Sequence, residues 1–289
     1  MRNILLQLDT SPQPSVFDRI VAYDAGADEV MSYGGVTADT VRELVHGAIF
    51  TRGPKDLHHT AIFIGGADME AGDRVLAAVR KSFFGPLRVS VMLDSNGANT
   101  TAVAAIGKLQ QQAGDVRGRR ALVTGAGPVG IRGGTLLARL GAEVTITSPW
   151  TEQRVQAVET IRERSGASAR GLTLSDSSQA AAALAGVELL LNAGPAGTLV
   201  VPRKAWTSGQ TLRAAADLNA VPPLGIEGIE VMDDGVNREG ILTFGAIAIG
   251  NLKMKIHKAC IARLFERNDL VLDVETIAEI GRELASPRA

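Results

Sequence analysis

The chain has 289 residues, 45% of them hydrophobic and 21% charged, and its formal net charge is −1. This length favours two domains over one, and the near-zero charge argues against nucleic acid or an anionic membrane surface as a main partner. No apolar run approaches the roughly 18 residues of a membrane span, and the single cysteine excludes an intrachain disulfide, so we expect a cytoplasmic protein.

The first hundred residues alternate strand-like and helix-like segments. Strands are predicted over residues 3–9, 29–35 (a strand or a turn), 60–66 and 87–94. Helices are predicted over residues 15–26, 37–50 and 68–84. This alternation is typical of a parallel sheet with helices packed on it.

A long helix predicted over residues 100–114 leads into a second series of alternating elements. Strands are predicted over residues 120–127, 143–148, 169–174, 187–194 and 212–219. Helices are predicted over residues 128–141, 151–166, 177–186, 248–269 and 274–284. The last two follow too late to belong to the second sheet, and we expect them to pack on the first domain.

These elements predict an α/β fold of two domains. Residues 1–117, completed by the C-terminal helices of 251–289, form an N-terminal parallel α/β domain. Residues 118–250 form a Rossmann-type nucleotide-binding domain.

The segment TGAGPVGIRGG carries the dinucleotide fingerprint G-x-G-x-x-G at Gly125, Gly127 and Gly130. A predicted strand precedes it and a predicted helix follows, so the glycines allow a tight turn and a close approach of a pyrophosphate to the helix N-terminus. Pro128 and Val129 belong to the same cofactor-binding turn. The alternative is a turn that only packs the helix on the strand.

The end of the second strand of this domain bears on the choice of nicotinamide cofactor. An NAD site usually has an acidic residue there, which accepts a hydrogen bond from the ribose 2′-OH, whereas this chain has Ser148. Ser148 and Thr151 can donate hydrogen bonds to a 2′-phosphate, and Arg154 either adds charge or is a solvated helix residue. We therefore expect NADP, with NAD possible.

Residues that could move a proton are scarce. Tyr23 and Tyr33 both precede the glycine turn and neither has a lysine four residues on, so the Tyr-x-x-x-Lys pair of short-chain dehydrogenases is missing. His257 lies in an apolar helix, where a structural role is favoured. A methylene group between two nitrogens escapes the need for a base, because a nitrogen lone pair expels the hydride without proton transfer.

Cysteine and histidine give no sign of metal binding. Cys260 lies on an apolar stripe with Ile256 and Leu264, which is typical of a core residue. The four histidines have no metal-ligand spacing with Cys260 or with carboxylates, and no metal is expected.

Several motifs spread over nearly the whole chain point to one family. The most specific are MLDSNGANTTA and LKMKIHKACIA, and further matching stretches lie at residues 7–18, 51–75, 124–132 and 216–229. Together they resemble the NADP-dependent methylene-tetrahydromethanopterin dehydrogenases of methylotrophic bacteria and, more remotely, the methylenetetrahydrofolate dehydrogenases. The resemblance implies reversible hydride transfer from methylene-tetrahydromethanopterin to NADP⁺ in one-carbon (formaldehyde) metabolism. It also implies pterin binding in an interdomain cleft and a homo-oligomer, a trimer.

The same resemblance assigns Gly125, Gly127 and Gly130 to the nucleotide and further residues to the pterin. It implies pterin contacts at Asp94, Ser95, Asn96, Asn99, Thr100 and Lys253. For Lys253, the catalytic candidate, a hydrogen bond to a pterin carbonyl or to the cofactor is more reasonable than proton transfer. The alternative for the 94–101 segment is a strand-to-helix turn with Thr100 as the helix cap.

Position in the predicted sheets adds further candidates. Asp9 and Thr10 follow the first strand and could line the substrate cleft. Ala193, Gly194 and Asn219 follow strands on the nucleotide side and should border the nicotinamide, and Gly245 and Ile247 could close over it.

One segment departs from the family. Its members carry an Arg-Lys pair directly after the second strand of the nucleotide domain, whereas this chain has Ser148, Pro149 and Trp150. Trp150 could stack on adenine instead. The departure weakens the expectation of strict NADP use and leaves tetrahydrofolate open as the preferred carrier. A separate alternative, from another functional class, is a regulatory protein that binds NADP(H) without turnover.

Overall fold

The computed structural model describes residues 1–209 and 211–285, so the last four residues of the predicted 251–289 segment lie outside the described part. The helices are α1 (Val16–Asp24), α2 (Val41–Ile49), α3 (Met69–Lys81), α4 (Ala98–Ala113), α5 (Pro128–Arg139), α6 (Thr151–Ser165), α7 (Ala180–Ala183), α8 (Arg203–Thr207), α9 (Ala246–Arg263) and α10 (Val274–Ala285). The strands are β1 (Ile4–Asp9), β2 (Glu29–Tyr33), β3 (Thr60–Gly65), β4 (Ser90–Leu93), β5 (Arg120–Thr124), β6 (Glu143–Ser148), β7 (Ala169–Thr173), β8 (Leu189–Asn192), β9 (Ala214–Asp217), β10 (Asp234–Arg238), β11 (Ile241–Phe244) and β12 (Val271–Leu272).

The chain forms two compact units. Unit 1 comprises Met1–Thr100 together with the described part of Met254–Ala289, and unit 2 comprises Thr101–Lys253. Each unit contains one sheet, so the α/β architecture predicted from the alternation of elements is confirmed. In the described part of the chain, no helix combines the length and apolar character needed to cross a membrane.

The sheet of unit 1 is parallel throughout, in the order β2-β1-β3-β4-β12. Strand β3 is buried along its whole length because helices cover both faces of such a sheet, which explains its continuous apolar run. Helix α1 begins after Ser15, whose hydroxyl accepts a hydrogen bond from the Asp18 amide at 3.2 Å. Asp68 caps α3 in the same way through Ala71, so this helix begins one residue later than predicted.

The strand order of unit 1 fixes where a ligand is expected. Strand order 2-1-3-4-5 reverses between the first and third strands, and open parallel sheets bind ligands beyond the carboxyl ends of the strands at that reversal. In unit 1 this point lies where Asp9 ends β1 and Gly65 ends β3, opposite one another in the register.

The sheet of unit 2 has the order β10-β11-β9-β8-β5-β6-β7. From β7 to β11 this is the 3-2-1-4-5-6 order of dinucleotide-binding domains, with all pairs parallel and the reversal between β5 and β8. Thr124 at the end of β5 faces Asn192 at the end of β8, so the glycine turn leaves the sheet at the reversal.

The antiparallel hairpin of β10 and β11 was not among the predicted elements. Its two turn residues, Glu239 and Gly240, both have positive φ values, 55° and 86°. Hairpin turns of this type usually carry Asn-Gly or Asp-Gly, so Glu-Gly hides the signal. Strand β12 was also missed because its two residues are too few for periodicity.

Candidate functional site

The three motif glycines of unit 2 have different surroundings. Gly125 has a φ of 94°, and a Cβ there would lie 2.4 Å from the carbonyl oxygen of Ala193. A Cβ on Gly130 would lie 2.0 Å from the carbonyl oxygen of Gly125. Gly127 has nothing within 4 Å of its hypothetical Cβ. Two glycines therefore permit close packing of backbone on backbone, and the middle one borders open space.

Helix α5 begins at this turn and presents its N-terminus to the open space. Gly127 is the N-cap and makes no side-chain capping bond, and Pro128 is the first helical residue. Proline lacks an N–H and has a preset φ, so its place costs no donor, while the amides of Val129 and Gly130 belong to the first turn. Such a helix start attracts an anion through its amides and its partial positive charge.

A cavity of about 420 Å³ lies beyond the carboxyl ends of β5, β6, β7 and β8. Its lining includes Gly125, Ala126, Gly127, Thr147, Ser148, Pro149, Trp150, Gln153, Leu174, Ser175, Asp176, Ser177, Ala193, Gly194, Pro195, Thr198, Leu199 and Val200. Five predicted cofactor residues are in this lining: Gly125, Gly127, Ser148, Ala193 and Gly194. Eight predicted cofactor residues are not: Pro128, Val129, Gly130, Thr151, Arg154, Asn219, Gly245 and Ile247.

The cavity satisfies a simple test for a dinucleotide. Open space adjoins the one motif glycine that tolerates a Cβ, and it continues to the ends of the neighbouring strands. A pyrophosphate at the start of α5 fits the first feature, and an adenosine between the ends of β6 and β7 fits the second. Trp150, whose side chain is 64% exposed, is on that wall and could stack on adenine.

The segment after β7 was missed by the sequence prediction. Leu174, Ser175, Asp176 and Ser177 all line the cavity. The sequence could have indicated this segment, because a strand predicted next to β6 in a parallel sheet ends at the same edge as β6. The Asp176 carboxylate accepts a hydrogen bond from the Ser178 amide at 2.7 Å, and bonding to Ser178 lowers the pKa of this carboxyl.

The hydroxyl of Ser148 is engaged within its own loop. It donates to Oε1 of Gln153 at 2.6 Å and accepts from the amide of Trp150 at 3.1 Å. Nη2 of Arg154 lies 3.5 Å from the Thr151 hydroxyl, and the Arg154 stem packs against Gly171 of β7. These bonds organise the start of α6.

A buried hydrogen-bond chain crosses the ends of three central strands of unit 2. The Thr124 hydroxyl donates to Oδ1 of Asn192, and Nδ2 of Asn192 donates to Oδ1 of Asp217. Asp217 also accepts from the amides of Asn219 and Ile226. Burial raises the pKa of Asp217, against the opposite effect of these bonds. The chain fixes the loops that follow β8 and β9.

Three predicted nicotinamide residues of unit 2 lie outside the cavity lining: Asn219, Gly245 and Ile247. Oδ1 of Asn219 accepts hydrogen bonds from the amides of Gly197 and Val221, which ties the two loops together. Gly245 approaches another segment so closely that a Cβ would lie 2.0 Å from the Glu230 carbonyl oxygen. Ile247, near the start of α9, is 43% exposed.

Polar residues gather where β1 and β3 end in unit 1. Asp9 is buried and accepts hydrogen bonds from the amides of Ser11 and Ser15, so it shapes the loop after β1. The Thr10 hydroxyl donates to the Gly65 carbonyl at 3.3 Å. Gly66 has a φ of 107°, and a Cβ there would lie 2.0 Å from the Thr10 hydroxyl. This edge is the strand-order reversal of unit 1.

The 94–100 segment begins at the same edge, after β4. Oδ1 of Asp94 accepts from the amides of Asn99 and Thr100, and Oδ2 accepts from the Thr100 hydroxyl at 2.6 Å. The suggestion that Thr100 caps the helix is therefore wrong: α4 begins at Ala98, and the carboxylate of Asp94 serves its first amides. Asn99 donates to the Leu93 carbonyl at 2.6 Å.

Two further residues of this segment complete the turn. Ser95 is buried, with its hydroxyl 3.5 Å from the Gly65 carbonyl. Asn96 is exposed and has the left-handed backbone conformation, with a φ of 55°. Its backbone N–H donates a hydrogen bond to the Gly66 carbonyl at 2.6 Å. Of the five predicted pterin residues in this segment, Asn96 is the one that is exposed. The other four are buried in the turn that holds it.

Helix α9 places two titratable residues behind Asp94. Nδ1 of His257 lies 4.0 Å from Oδ2 of Asp94, and its ring stacks on Phe63 with 5.5 Å between centroids. Cys260 is fully buried, and burial together with the charge of Asp94 raises the pKa of its thiol to about 12. Cys260 has the core position that was predicted, and His257, for which a structural role is favoured, is fully buried beside it.

Lys253 is the last residue of unit 2 and lies one helical turn before His257 on α9, half-buried. In the described part of the chain, no group of three His, Cys, Asp or Glu side chains could hold a metal ion.

Comparison with known proteins identifies close relatives. The family profile for the N-terminal part of methylene-tetrahydromethanopterin dehydrogenase matches residues 16–96. The chain is 45% identical over 286 residues to the bifunctional protein MdtA of Methylorubrum extorquens, covering 98% of this chain and 99% of that protein. It is 30% identical over 294 residues to the NAD(P)-dependent methylenetetrahydromethanopterin dehydrogenase of the same organism, again covering 98% and 99%.

Solved structures share the fold at low sequence identity. Shikimate 5-dehydrogenase of Listeria monocytogenes, in complex with shikimate and NAD, has a TM-score of 0.54 at 15% identity, with 96% of each chain covered. Ornithine carbamoyltransferase of Pyrococcus furiosus has a TM-score of 0.55 at 14% identity, covering 90% of this chain and 84% of that one. An oxidoreductase and a transferase match equally well, so the fold alone does not decide the chemistry.

Proposed function

This chain belongs to the methylene-tetrahydromethanopterin dehydrogenase family, and from that premise we propose that it transfers a hydride reversibly from methylene-tetrahydromethanopterin to NADP⁺, with NAD⁺ as a second acceptor. The observation that carries the proposal is the full-length relationship, at 30% identity, to an NAD(P)-dependent methylenetetrahydromethanopterin dehydrogenase, beside the 45% identity to the bifunctional protein MdtA. The open glycine turn supports the nucleotide-binding part of the proposal independently of any relative.

The chemistry asks little of the side chains. When bound, the nicotinamide accepts a hydride from the methylene carbon, while a ring nitrogen of the pterin supplies the electron pair and the methenyl cation forms. No proton leaves an oxygen or nitrogen, so no general base is required. The chain has to bind both molecules, orient them and exclude water. This accounts for the lack of a Tyr-x-x-x-Lys pair.

The residues of unit 2 would hold the cofactor. The amides at the start of α5, next to Gly127, would bind the pyrophosphate. Trp150 and the ends of β6 and β7 would hold the adenosine. Ala193 and Gly194 would border the nicotinamide ribose, with their loop fixed through Asn192. Asn219, Gly245 and Ile247 remain proposed contacts of the nicotinamide end.

The residues of unit 1 would recognise the pterin at the edge where β1, β3 and β4 end. Asn96 is exposed there, and its amide group can both donate to and accept from the amino-pyrimidine edge. Asp9, Asp94, Asn99 and Thr100 would act by fixing the loops around it. Lys253, the last residue of unit 2, would hydrogen-bond a pterin carbonyl or the cofactor, because a cation beside the forming methenyl cation is unfavourable.

The test is a spectrophotometric assay of purified protein with NADP⁺ or NAD⁺ and two carriers, methylene-tetrahydromethanopterin and methylene-tetrahydrofolate. We expect the absorbance of reduced nicotinamide to rise with the first carrier, and the ratio of kcat/KM for the two carriers decides which is preferred. Tight NADPH binding without turnover on either carrier would contradict the proposal and favour a nucleotide-binding regulator.

We also propose a cytoplasmic homo-oligomer, a trimer. The family resemblance supports the trimer, and the one buried, free cysteine supports a reducing compartment. Light scattering of the purified protein gives the number of subunits.

A further inference from the structure

The adenosine end of the cavity lacks the acidic residue usually found at the end of the second strand of a dinucleotide domain. Ser148 ends β6 instead, and its hydroxyl is engaged by Gln153 and Trp150. In the sheet register Ser148 faces Thr173, the last residue of β7. The chain leaving β7 therefore passes directly beside the position of the missing acid.

Asp176 lies three residues beyond β7 and lines the cavity. Its side chain is exposed, and its carboxylate accepts the Ser178 amide, which anchors it on the cavity wall. That bond also lowers the pKa of the carboxyl, so Asp176 is negatively charged at neutral pH.

No positive charge balances Asp176 in the cavity. Among the described residues, none of those in the lining is a lysine or an arginine. Arg154 directly follows Gln153 of the lining, but its stem packs on Gly171 of β7. Its Nη1 atom is covered by protein and makes no hydrogen bond to any described residue. Arg154 would have to leave this packing to reach a phosphate in the cavity.

We propose that Asp176 is a specificity-determining residue that accepts a hydrogen bond from the adenosine ribose and weakens binding of a 2′-phosphate, which makes NAD⁺ an effective cofactor of this chain. The relevance of Asp176 to catalysis rests on the proposed function, whereas its effect on nucleotide binding does not. A dianionic 2′-phosphate beside a carboxylate is repelled where no lysine or arginine belongs to the described cavity lining, whereas a 2′-OH donates to the same carboxylate.

The test compares Asp176→Asn with the unmodified protein by fluorescence titration of NADPH and NADH without any pterin. The substitution removes the charge and keeps an oxygen acceptor for the Ser178 amide. We expect NADPH affinity to rise about fivefold to tenfold and NADH affinity to fall by no more than about threefold. The NADPH gain should shrink as salt is added, because salt screens the repulsion in the unmodified protein.

Glu152→Gln is the matched control. Glu152 is an exposed acid in the first turn of α6 and does not line the cavity, so its removal should change both affinities by less than about twofold. Asp176→Ser, which retains a capping oxygen, should reproduce the NADPH gain if the charge is the cause.

Equal changes in NADPH and NADH affinity, or no change in either, would overturn the inference. The outcome is separate from that of the turnover assay, because the titration needs no pterin. If the protein also turns over, the ratio of kcat/KM for NADP⁺ to that for NAD⁺ should rise by the same factor in Asp176→Asn.

Discussion

At the scale of single residues, the glycine turn separates packing from binding. Gly125 and Gly130 admit no Cβ because backbone oxygens lie where it would be, whereas Gly127 has open space. The motif alone could not tell these roles apart, since all three glycines look alike in sequence. The distinction depends on which neighbouring segment approaches each one.

Gly127→Ala should fold normally and bind cofactor poorly. We expect its free energy of unfolding to change by less than about 1 kcal/mol, because its φ of −81° suits alanine. NADPH affinity should fall about tenfold as the methyl group occupies the space that the pyrophosphate needs. Gly130→Ala should instead lose about 2–4 kcal/mol of stability. Chemical denaturation and NADPH titration measure both, and equal stability losses would contradict the assignment.

Cys260 offers a test of the core of unit 1 through pH. The folded thiol has a pKa of about 12, above its ordinary value of 9.0, so its contribution to stability is complete below pH 9.0 and is lost as pH rises toward 12. Between about pH 8 and pH 10, the unmodified protein should lose about 1 kcal/mol more stability than Cys260→Ala. Denaturation at both pH values gives the difference, and parallel pH profiles would show that the thiol is not buried as described.

At the scale of elements, predictability followed the strength of the local signal. The buried strands β1, β3 and β5 and the helices on them were predicted, because continuous apolar runs and helical periodicity identify them. The β10–β11 hairpin escaped because its turn is Glu-Gly. The cavity wall after β7 escaped because its residues carry no motif and become part of the site only through pairing with β6.

The 94–100 segment shows a similar limit. The sequence marked its polar residues, but not which of them would be exposed. Asp94, Asn99 and Thr100 bond one another or the local backbone, and Asn96 is left exposed. Of the five residues predicted to contact the pterin, only Asn96 is therefore exposed, and the other four are buried in the turn beneath it.

Asp94→Ala should therefore remove the support. Two buried amides and the Thr100 hydroxyl lose their acceptor, so stability should fall by about 2–4 kcal/mol. Turnover should fall by at least about a hundredfold because Asn96 is displaced, while NADPH affinity, a property of unit 2, changes less than about twofold.

Asp273→Ala is the control for Asp94→Ala. Asp273 accepts from the amide and hydroxyl of Thr276 at the start of α10, so this variant also loses hydrogen bonds in unit 1. It should keep near-normal turnover. A similar loss of turnover in both variants would reduce the role of Asp94 to general stability.

At the scale of the whole molecule, the two units divide the work of binding. Unit 2 carries the glycine turn and the cavity, and unit 1 carries the polar edge with Asn96. Among the described residues, neither unit offers the Tyr-x-x-x-Lys pair of a proton-moving dehydrogenase, and a reaction in which a hydride moves and no proton does requires none. Family membership supplies the substrate, which the fold alone does not specify.

Direct hydride transfer is tested most directly by isotope labelling. The protein is given methylene-tetrahydromethanopterin with deuterium on the methylene carbon, NADP⁺ and ordinary water, and the reduced cofactor is analysed by mass spectrometry. With both hydrogens of the methylene carbon replaced by deuterium, we expect each NADPH formed to carry one deuterium, with no exchange into water. Loss of the label to solvent, or no NADPH at all, would contradict it.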